Sequence, residues 1–293
     1  MLLVTQTAEL QKRFGIEKAI QMIAEAGFDA IDFSMFEMND DNSILNSDKC
    51  FEYAKKLKET AQKSGIRFVQ AHAPFEYSHC APQSAVDKMT IKVKRAIEIA
   101  SVMGVEIIVV HPLQHMDYTT NVKVLHDMNI EYYKMLGSLG QKLGIKIAVE
   151  NMFQTDKNTG KIKDSTCASH EEFCEYLDTV NNPNVVGCLD IGHCRLCSRD
   201  PGDMLKNMGK DRIKCFHVHD NDFVRDCHAI PYTHSLNWDE ICKAVADSGY
   251  MGNLTFECDK SFLAYDDEFM SVVLKFMHDT GRHLIRKIKS NGI

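Results

Sequence analysis

The 293-residue sequence has no run that approaches 18 consecutive apolar residues, and its beginning, MLLVTQTAEL, lacks the basic region and the long apolar stretch of a signal peptide. It also has no excess of basic residues, because 34 Lys and Arg stand against 41 Asp and Glu. A surface for nucleic acid or for an anionic membrane needs a phosphate-neutralising excess of Lys and Arg, so neither partner is expected. We expect a cytoplasmic protein without a membrane span.

A regular cysteine framework is also missing. The eleven cysteines are odd in number and scattered, which favours reduced thiols over disulfides. Cys194 and Cys197 form one C-x-x-C, but no second pair follows at the spacing of a structural zinc site. The cysteines therefore predict neither a disulfide scaffold nor a thiolate metal site.

No linker rich in Pro, Gly or Ser divides the chain, and no G-x-G-x-x-G follows its first apolar run. Eight short apolar, β-branched runs are present instead, with amphipathic helical patterns such as IEKAIQMIAEAG between them. Strands separated by helices pair in parallel, and eight such units close a (β/α)8 barrel. We predict an α/β protein, a single TIM barrel domain spanning residues 1–293, with a doubly wound open sheet as the alternative. The predicted strands cover residues 2–7, 30–35, 66–74, 105–112, 146–152, 185–193, 213–220 and 253–259.

Acidic residues and histidines end the third to the eighth of these predicted strands. Because the active site of such a barrel forms at the C-terminal ends of its strands, these side chains should converge. Carboxylates brought together in a partly desolvated mouth repel one another unless a cation neutralises them. The sequence thus predicts a divalent metal site, with the following candidates: His72, His111, Glu150, Asp190, His193, His217, His219 and Glu257.

The ligand chemistry of this set favours a hard cation. Glu150, Asp190 and Glu257 would supply carboxylates, and one imidazole would complete an oxygen-rich site. Such ligands suit Mn²⁺ or Mg²⁺, with Co²⁺ and Zn²⁺ as alternatives. The alternation of a strand directs His217 and His219 to the same side, so periodicity leaves both open as the imidazole ligand.

The last four predicted strands carry the motifs VENM, LDIGHC, FHVHDND, RDCH and LTFECD. These motifs resemble the superfamily of xylose isomerase-like TIM barrels, which includes sugar isomerases and epimerases, inosose dehydratases and endonuclease IV. In the ketose 3-epimerase branch, the resemblance implies His217 rather than His219 as a ligand, because an acidic or polar residue, here Asp220, follows three positions later. The implied metal ligands are Glu150, Asp190, His217 and Glu257.

The resemblance also implies roles around the metal. Glu150 and Glu257 would form the acid/base pair and His193 would contact the substrate, with His72 and His111 expected beside it. We therefore predict a metal-dependent sugar isomerase or epimerase that acts on a ketose or related polyol through a cis-enediolate. A dehydratase similar to inosose dehydratase and a non-catalytic sugar-binding barrel are alternatives, and a homodimer is expected on the resemblance alone.

The endonuclease IV branch implies a different centre, with three zinc ions and phosphodiester hydrolysis. Asp226 and His228 then become additional metal or substrate ligands. The acidic net charge and the lack of a basic stripe in the loops after the strands disfavour DNA, so a small sugar or polyol is the predicted partner. The pattern of this branch falls on His72, His111, Glu150, Asp190, His193, His217, Asp226, His228 and Glu257.

Overall fold

A computed structural model describes residues 1–76 and 78–292 and contains ten strands within them. Eight of these strands pair only in parallel, and the other two, β6 and β7, form an antiparallel hairpin. The strands are β1 (Leu3–Gln6), β2 (Ala30–Ser34), β3 (Phe68–His72), β4 (Ile107–Val110), β5 (Lys146–Glu150), β6 (Phe153–Thr155), β7 (Ile162–Asp164), β8 (Val185–Asp190), β9 (Ile213–His217) and β10 (Leu254–Phe256).

Helices follow most strands of the parallel sheet and surround it. Three short 3-10 helices cover residues 36–39, 44–46 and 259–264. The α-helices are α1 (Ala8–Phe14), α2 (Ile16–Ala26), α3 (Cys50–Lys63), α4 (Gln83–Met103), α5 (Tyr118–Leu143), α6 (His170–Val180), α7 (Ile191–Leu196), α8 (Pro201–Met208), α9 (Trp238–Asp247) and α10 (Met270–Asn291).

The parallel sheet runs in the order β10-β1-β2-β3-β4-β5-β8-β9 and closes between its two ends. The Val218 N–H donates to the Thr255 carbonyl at 2.9 Å, and the Glu257 N–H donates to the Val218 carbonyl at 3.1 Å. These two bonds follow β9 and join it to β10, so the eight strands form a barrel. The predicted (β/α)8 architecture is confirmed.

Each strand of the barrel is shorter than the sequence run that predicted it, and at 185–193 the run extends into a helix. There β8 ends at Asp190 and α7 begins at Ile191. The Asp190 carboxylate accepts a hydrogen bond from the His193 N–H at 2.6 Å, so this aspartate caps the helix that follows it. The apolar run therefore covers the end of β8 and the beginning of α7, with Asp190 at the boundary between them.

The barrel interior is apolar in its lower layers, and polar side chains follow above them. Val4, Ala30 and Val69 form one small buried cluster within the sheet. A second cluster contains Val109, Ala148, Val186, Cys188 and Cys215. Small and branched side chains thus fill the lower barrel, as in other TIM barrels, and leave the C-terminal ends for polar residues.

The thiols follow the same division between core and surface. All eleven cysteines lie among the described residues and all are free, and eight of them are buried. Among the described residues, no helix combines the length and hydropathy needed to cross a lipid bilayer.

One close approach between a helix and a strand depends on glycine. A Cβ added to Gly140 in α5 would lie 2.6 Å from the backbone carbonyl oxygen of Ile145 and 3.1 Å from the Ile147 side chain. We predict that Gly140→Ala lowers the free energy of unfolding by about 1–2 kcal/mol, because overpacking against backbone outweighs the gain in helix propensity. Urea denaturation measures the change.

The matched control is Ser138→Ala, on an exposed position of the same helix. It should change the free energy of unfolding by no more than about 0.5 kcal/mol. If Gly140→Ala were as stable as Ser138→Ala, the close packing of α5 against β5 would be wrong.

Candidate metal centre

The ends of four barrel strands bring three carboxylates around one histidine. Nδ1 of His217 lies 2.9 Å from Oε1 of Glu150 and 3.0 Å from Oε2 of Glu257. Asp190 completes the group, in which one donor atom from each residue lies within 4.8 Å of the others. All four side chains are buried, with Glu257 the most exposed at 6%. The structure therefore assembles the four residues that the sequence predicted as metal ligands.

In the metal-free protein, the pKa values of Glu150 and Glu257 are shifted in favour of the anionic form and that of His217 in favour of the imidazolium. Burial would raise the pKa of Glu150, but the His217 charge and hydrogen bonds from histidines hold it well below its ordinary value. Burial also opposes the negative form of Glu257, and His217 again lowers the pKa of that carboxyl. In turn, burial disfavours the imidazolium, yet neighbouring Cys188 and the charges of Glu257 and Glu150 raise the pKa of His217 well above 6.5.

One protonated imidazole does not satisfy three buried carboxylates. Oδ2 of Asp190 and Oε2 of Glu150 are buried, and among the described residues neither accepts a hydrogen bond of good geometry. An unpartnered buried carboxylate oxygen is costly, and a divalent cation satisfies several such oxygens together. Three carboxylates and an imidazole are ligands that Mn²⁺ and related divalent cations accept. The residues present fit a metal ion.

Two more histidines lie against the same glutamate. Nε2 of His111 is 3.0 Å from Oε2 of Glu150, and Nε2 of His72 is 3.6 Å from it. Burial lowers the pKa of His111 despite this contact, so its imidazole is neutral. His72 and His111 were expected beside the substrate. Their contacts with Glu150 would also allow them to bind a cation that shares this glutamate.

A second group of possible ligands lies beside the first. Nε2 of His219 is 3.1 Å from Oδ1 of Asp190 and 3.7 Å from Oδ1 of Asp226, and the His219 ring stacks on that of His228 at 4.5 Å. His228 has a φ of 42°, a left-handed conformation that costs a non-glycine residue about 1–3 kcal/mol. The group consists of His193, His219, Asp226 and His228.

Glycine at position 192 makes room for this second group. A Cβ at Gly192 would lie 2.0 Å from Cε1 of His219, a distance at which no other side chain fits. His219 is fully buried, and neither of its ring nitrogens has a hydrogen-bond partner among the described residues. Gly192 of the LDIGHC motif therefore packs directly against His219 of the FHVHD motif. His219 faces Asp190 and Asp226, and His217 faces Glu150 and Glu257.

Three of the histidines are held from behind by backbone carbonyls. Nδ1 of His72 is 2.8 Å from the Ala73 carbonyl oxygen, and Nδ1 of His193 is 3.0 Å from that of Asn151. Nδ1 of His228 lies 2.9 Å from the Glu257 carbonyl oxygen. Each carbonyl accepts the ring N–H. In His72 and His228 the other nitrogen, Nε2, then faces a carboxylate, an arrangement typical of metal-binding histidines.

Sequence reasoning missed two residues that fix the carboxylates. Asn151 accepts the Asp190 N–H at 2.7 Å and donates its Nδ2 to the Asp190 carbonyl at 3.0 Å. Gln6, at the end of β1, donates its Nε2 to Oε1 of Glu257 at 2.7 Å. Asn151 follows Glu150 directly in the VENM motif and could have been noticed, whereas nothing in the sequence marks Gln6.

A cavity of about 390 Å³ opens above the carboxylates. Its floor includes Glu150 and Glu257, and its wall combines aromatic rings with polar and charged groups. The volume is in the range of sites for small ligands. The lining residues are Gln6, Phe36, Phe75, Glu76, His79, His111, Gln114, Glu150, Met152, Phe153, His193, Asp226, His228, Glu257, Asp259 and Lys260.

Comparisons with known proteins agree with this architecture. The family model described as xylose isomerase-like TIM barrel matches residues 20–270. The chain belongs to this family. The solved structure of D-psicose 3-epimerase with D-tagatose from Clostridium cellulolyticum H10 superimposes with a TM-score of 0.73 over 97% of this chain and 99% of that one, at 15% identity.

Among the proteins with similar sequences, some are named as uncharacterised proteins and one as a probable endonuclease. An uncharacterised protein of Methanocaldococcus jannaschii is 25% identical over 247 residues, which cover 83% of this chain and 78% of the relative. A probable endonuclease 4 of Mesoplasma florum is 26% identical over 219 residues, covering 68% and 70%. The family is thus established, and the reaction has to be argued from the site.

The raised pKa of His217 predicts how metal affinity depends on pH. The imidazole is protonated in the metal-free protein, and binding through Nδ1 requires loss of that proton. We therefore expect affinity for Mn²⁺ or Zn²⁺ to fall by about tenfold for each unit by which the pH drops below the His217 pKa. Competition with a chromophoric chelator at several pH values measures the slope.

The control for this titration is His126→Gln, which removes a partly exposed histidine whose pKa is also raised and whose Nε2 pairs with Glu175 rather than with Glu150 or Glu257. It should leave the slope unchanged. A metal affinity that does not vary with pH in the wild-type protein would mean that His217 is not a ligand.

Proposed function

We propose that the protein is a divalent-metal-dependent sugar isomerase or epimerase, with Mn²⁺ as the preferred cation and Mg²⁺, Co²⁺ or Zn²⁺ as alternatives. The observation that carries the proposal is the pair of buried carboxylates, Glu150 and Glu257, on the floor of a small-molecule cavity and in contact with the same imidazole. A bound cation would stabilise the negative charge of a cis-enediolate derived from a ketose or related polyol. Asp190 and His217 would be the other two ligands.

The two glutamates would move the protons. The charge of His217 lowers their pKa values in the metal-free protein, and a bound cation would replace that charge, so both groups would be carboxylates able to accept a proton. Either carboxylate could then remove a carbon-bound proton from one face of the substrate, and the other could return a proton to the opposite face. Return to the same carbon gives epimerisation, and return to the neighbouring carbon gives isomerisation.

The cavity wall suits a polyhydroxylated substrate. Phe36 and Phe75 pack edge to face at 5.4 Å, and the ring of Phe153 lies 4.9 Å from that of His193. Aromatic rings can cover the C–H face of a sugar, and the polar lining can bind its hydroxyls. Lys260, the single lysine of the lining, donates to Oδ2 of Asp226 at 3.0 Å, so an unphosphorylated substrate is favoured.

Hydrogen exchange tests the proposed reaction. Incubation of the metal-loaded protein with a panel of ketoses and inososes in D₂O should introduce solvent deuterium at a carbon next to the carbonyl. Glu257→Gln should reduce the exchange rate by about 10²–10⁴-fold, because it removes one proton acceptor while keeping side-chain size. NMR or mass spectrometry measures the deuterium content.

The matched control is Glu106→Gln, an exposed glutamate that pairs with Arg67 at the opposite end of the barrel. It should keep the wild-type exchange rate. Binding of a sugar without any deuterium incorporation would favour the non-catalytic alternative, and unchanged exchange in Glu257→Gln would remove that residue from the reaction.

A second candidate, phosphodiester hydrolysis at a site with several metals, is favoured by the second group of ligands. Burial would raise the pKa of Asp226, but His228 holds it well below its usual value, and the contact between Nε2 of His228 and Oδ2 of Asp226 is 2.8 Å. Such a partly buried pair can exchange its shared proton for a cation. A probable endonuclease 4 among the relatives is consistent with this candidate.

Metal content and strand cleavage separate the two candidates. Our proposal predicts about one equivalent of Mn²⁺ or Co²⁺ in active protein and no cleavage of a duplex with an abasic site. Two or three equivalents of zinc together with strand cleavage would overturn it. Asp226→Asn should then lower the zinc content and abolish cleavage.

Two further features belong to the proposal. The eleven free thiols suit a reducing compartment, and we place the enzyme in the cytoplasm. The homodimer expected from the family resemblance stays a prediction, for which sedimentation measurements are the appropriate test.

A further inference from the structure

Asp32 is a buried aspartate that none of the roles above uses. It lies in the middle of β2, and none of its side chain is exposed. Oδ1 has no hydrogen-bond partner among the described residues, and Oδ2 accepts one hydrogen bond, from Nε2 of Gln70 at 3.1 Å. A buried carboxylate with so few partners is costly to keep. Its position next to the metal centre accounts for it.

Across the barrel, Asp32 faces the back of His217. Oδ2 of Asp32 lies 3.6 Å from Nε2 of His217, while Nδ1 of the same ring faces Glu150 and Glu257. Nε2 of His217 is itself fully buried and has no hydrogen-bond partner among the described residues. The unpartnered Nε2 of His217 therefore faces the Asp32 carboxylate just beyond hydrogen-bonding distance.

The orientation of Asp32 is set by two other buried side chains. In the paired strands Asp32 lies opposite Gln70 of β3. Oε1 of Gln70 accepts a hydrogen bond from the Thr255 hydroxyl at 3.1 Å, and this bond directs the Gln70 amide nitrogen toward Asp32. Thr255 and Gln70 thus hold the Asp32 carboxylate in place below the metal ligands.

The other histidines of the centre show what such an acceptor does. His72 and His228 each direct Nδ1 at a backbone carbonyl and Nε2 toward a carboxylate. His217 has no carbonyl in that position, and the Asp32 carboxylate stands there instead. A carboxylate that accepts the outer N–H of a metal-binding histidine fixes its tautomer and increases its basicity.

We infer that Asp32, oriented by Gln70 and Thr255, is a positioning residue that holds His217 as the Nε2–H tautomer with Nδ1 available to the metal. The inference rests on the proposal that Glu150, Asp190, His217 and Glu257 bind a divalent cation, but it does not depend on the reaction or on the substrate. It can be tested without any sugar.

The main experiment measures metal affinity in Asp32→Asn, which keeps the size of the side chain and removes its charge. Zn²⁺ titration against a chromophoric chelator should show an affinity about 10–100-fold weaker than that of the wild-type protein, with the same stoichiometry. The absorption spectrum of the Co²⁺-loaded variant should also change, because the imidazole ligand is held less firmly.

Asp29→Asn is the matched control. Asp29 directly precedes the same strand, at the other end of the barrel, and its carboxylate pairs with Arg282. This variant should lose thermal stability but keep wild-type zinc affinity and the wild-type Co²⁺ spectrum. It separates a general loss of stability from an effect on the metal centre.

Two outcomes of the affinity measurement would overturn the inference. Wild-type zinc affinity and an unchanged Co²⁺ spectrum in folded Asp32→Asn would show that Asp32 does not act on His217. Complete loss of zinc binding at this centre in the folded variant would make Asp32 a ligand rather than a positioning residue.

A second measurement is independent of the folding of the variant. In ¹⁵N-histidine NMR spectra of the Zn²⁺-loaded wild-type protein, assigned with His217→Gln, the His217 Nε2 should carry the proton and Nδ1 should show the shift of a metal-bound nitrogen. The opposite tautomer would contradict the inference. If no zinc binds at all, the proposed metal centre fails, and this result is distinct from an altered tautomer.

Discussion

The buried negative charge at the C-terminal end of the barrel is the constraint on which the site depends. Glu150, Asp190 and Glu257 lie around His217 with almost no access to water. Burial disfavours each charge, and only contacts with cationic or hydrogen-bonding groups make the arrangement tolerable. The imidazolium supplies part of that compensation, and a divalent cation would supply the rest.

Much of the surrounding polar structure serves to hold these charges in position. Asn151 binds both backbone groups of Asp190, and Gln6 binds one oxygen of Glu257. Backbone carbonyls direct three histidines, and Gly192 leaves the space that His219 occupies. Groups fixed in this way need little rearrangement when charge develops on a substrate, which is the general condition for electrostatic catalysis.

The sequence was sufficient to predict the barrel and the convergence of its site. Eight apolar runs alternate with helical patterns, and the rule that strand ends meet at one mouth brings Glu150 and Glu257 together although they are far apart in the chain. Periodicity could not separate His217 from His219, because both point inward. In the structure, His217 lies against Glu150 and Glu257, whereas Nε2 of His219 lies 3.1 Å from Asp190 and 3.7 Å from Asp226.

Other features were outside the reach of a single sequence. The contact of Asp32 with Gln70 depends on a register shift between β2 and β3 next to Ile31, and strand patterns do not reveal register. The helix that begins after Asp190 was hidden because the apolar run continues through it. The β6–β7 hairpin falls in a polar stretch without alternation, so nothing in the sequence indicated it.

The second group of possible ligands makes two reactions compatible with the site, and membership of the family does not distinguish between them. Asp190 lies between His217 and His219, so it could serve either group. A cation shared by Glu150, Asp190, His217 and Glu257 suits enediolate chemistry, and further cations at Asp226 and His228 would suit phosphodiester hydrolysis. The number and the position of bound ions therefore decide between the two.

Anomalous diffraction from crystals grown with Mn²⁺ tests the central claim most directly, because it locates the ion without any assumption about the substrate. The account predicts one dominant peak surrounded by Glu150, Asp190, His217 and Glu257. The absence of a peak at that position, or a peak confined to His193, His219, Asp226 and His228, would contradict it.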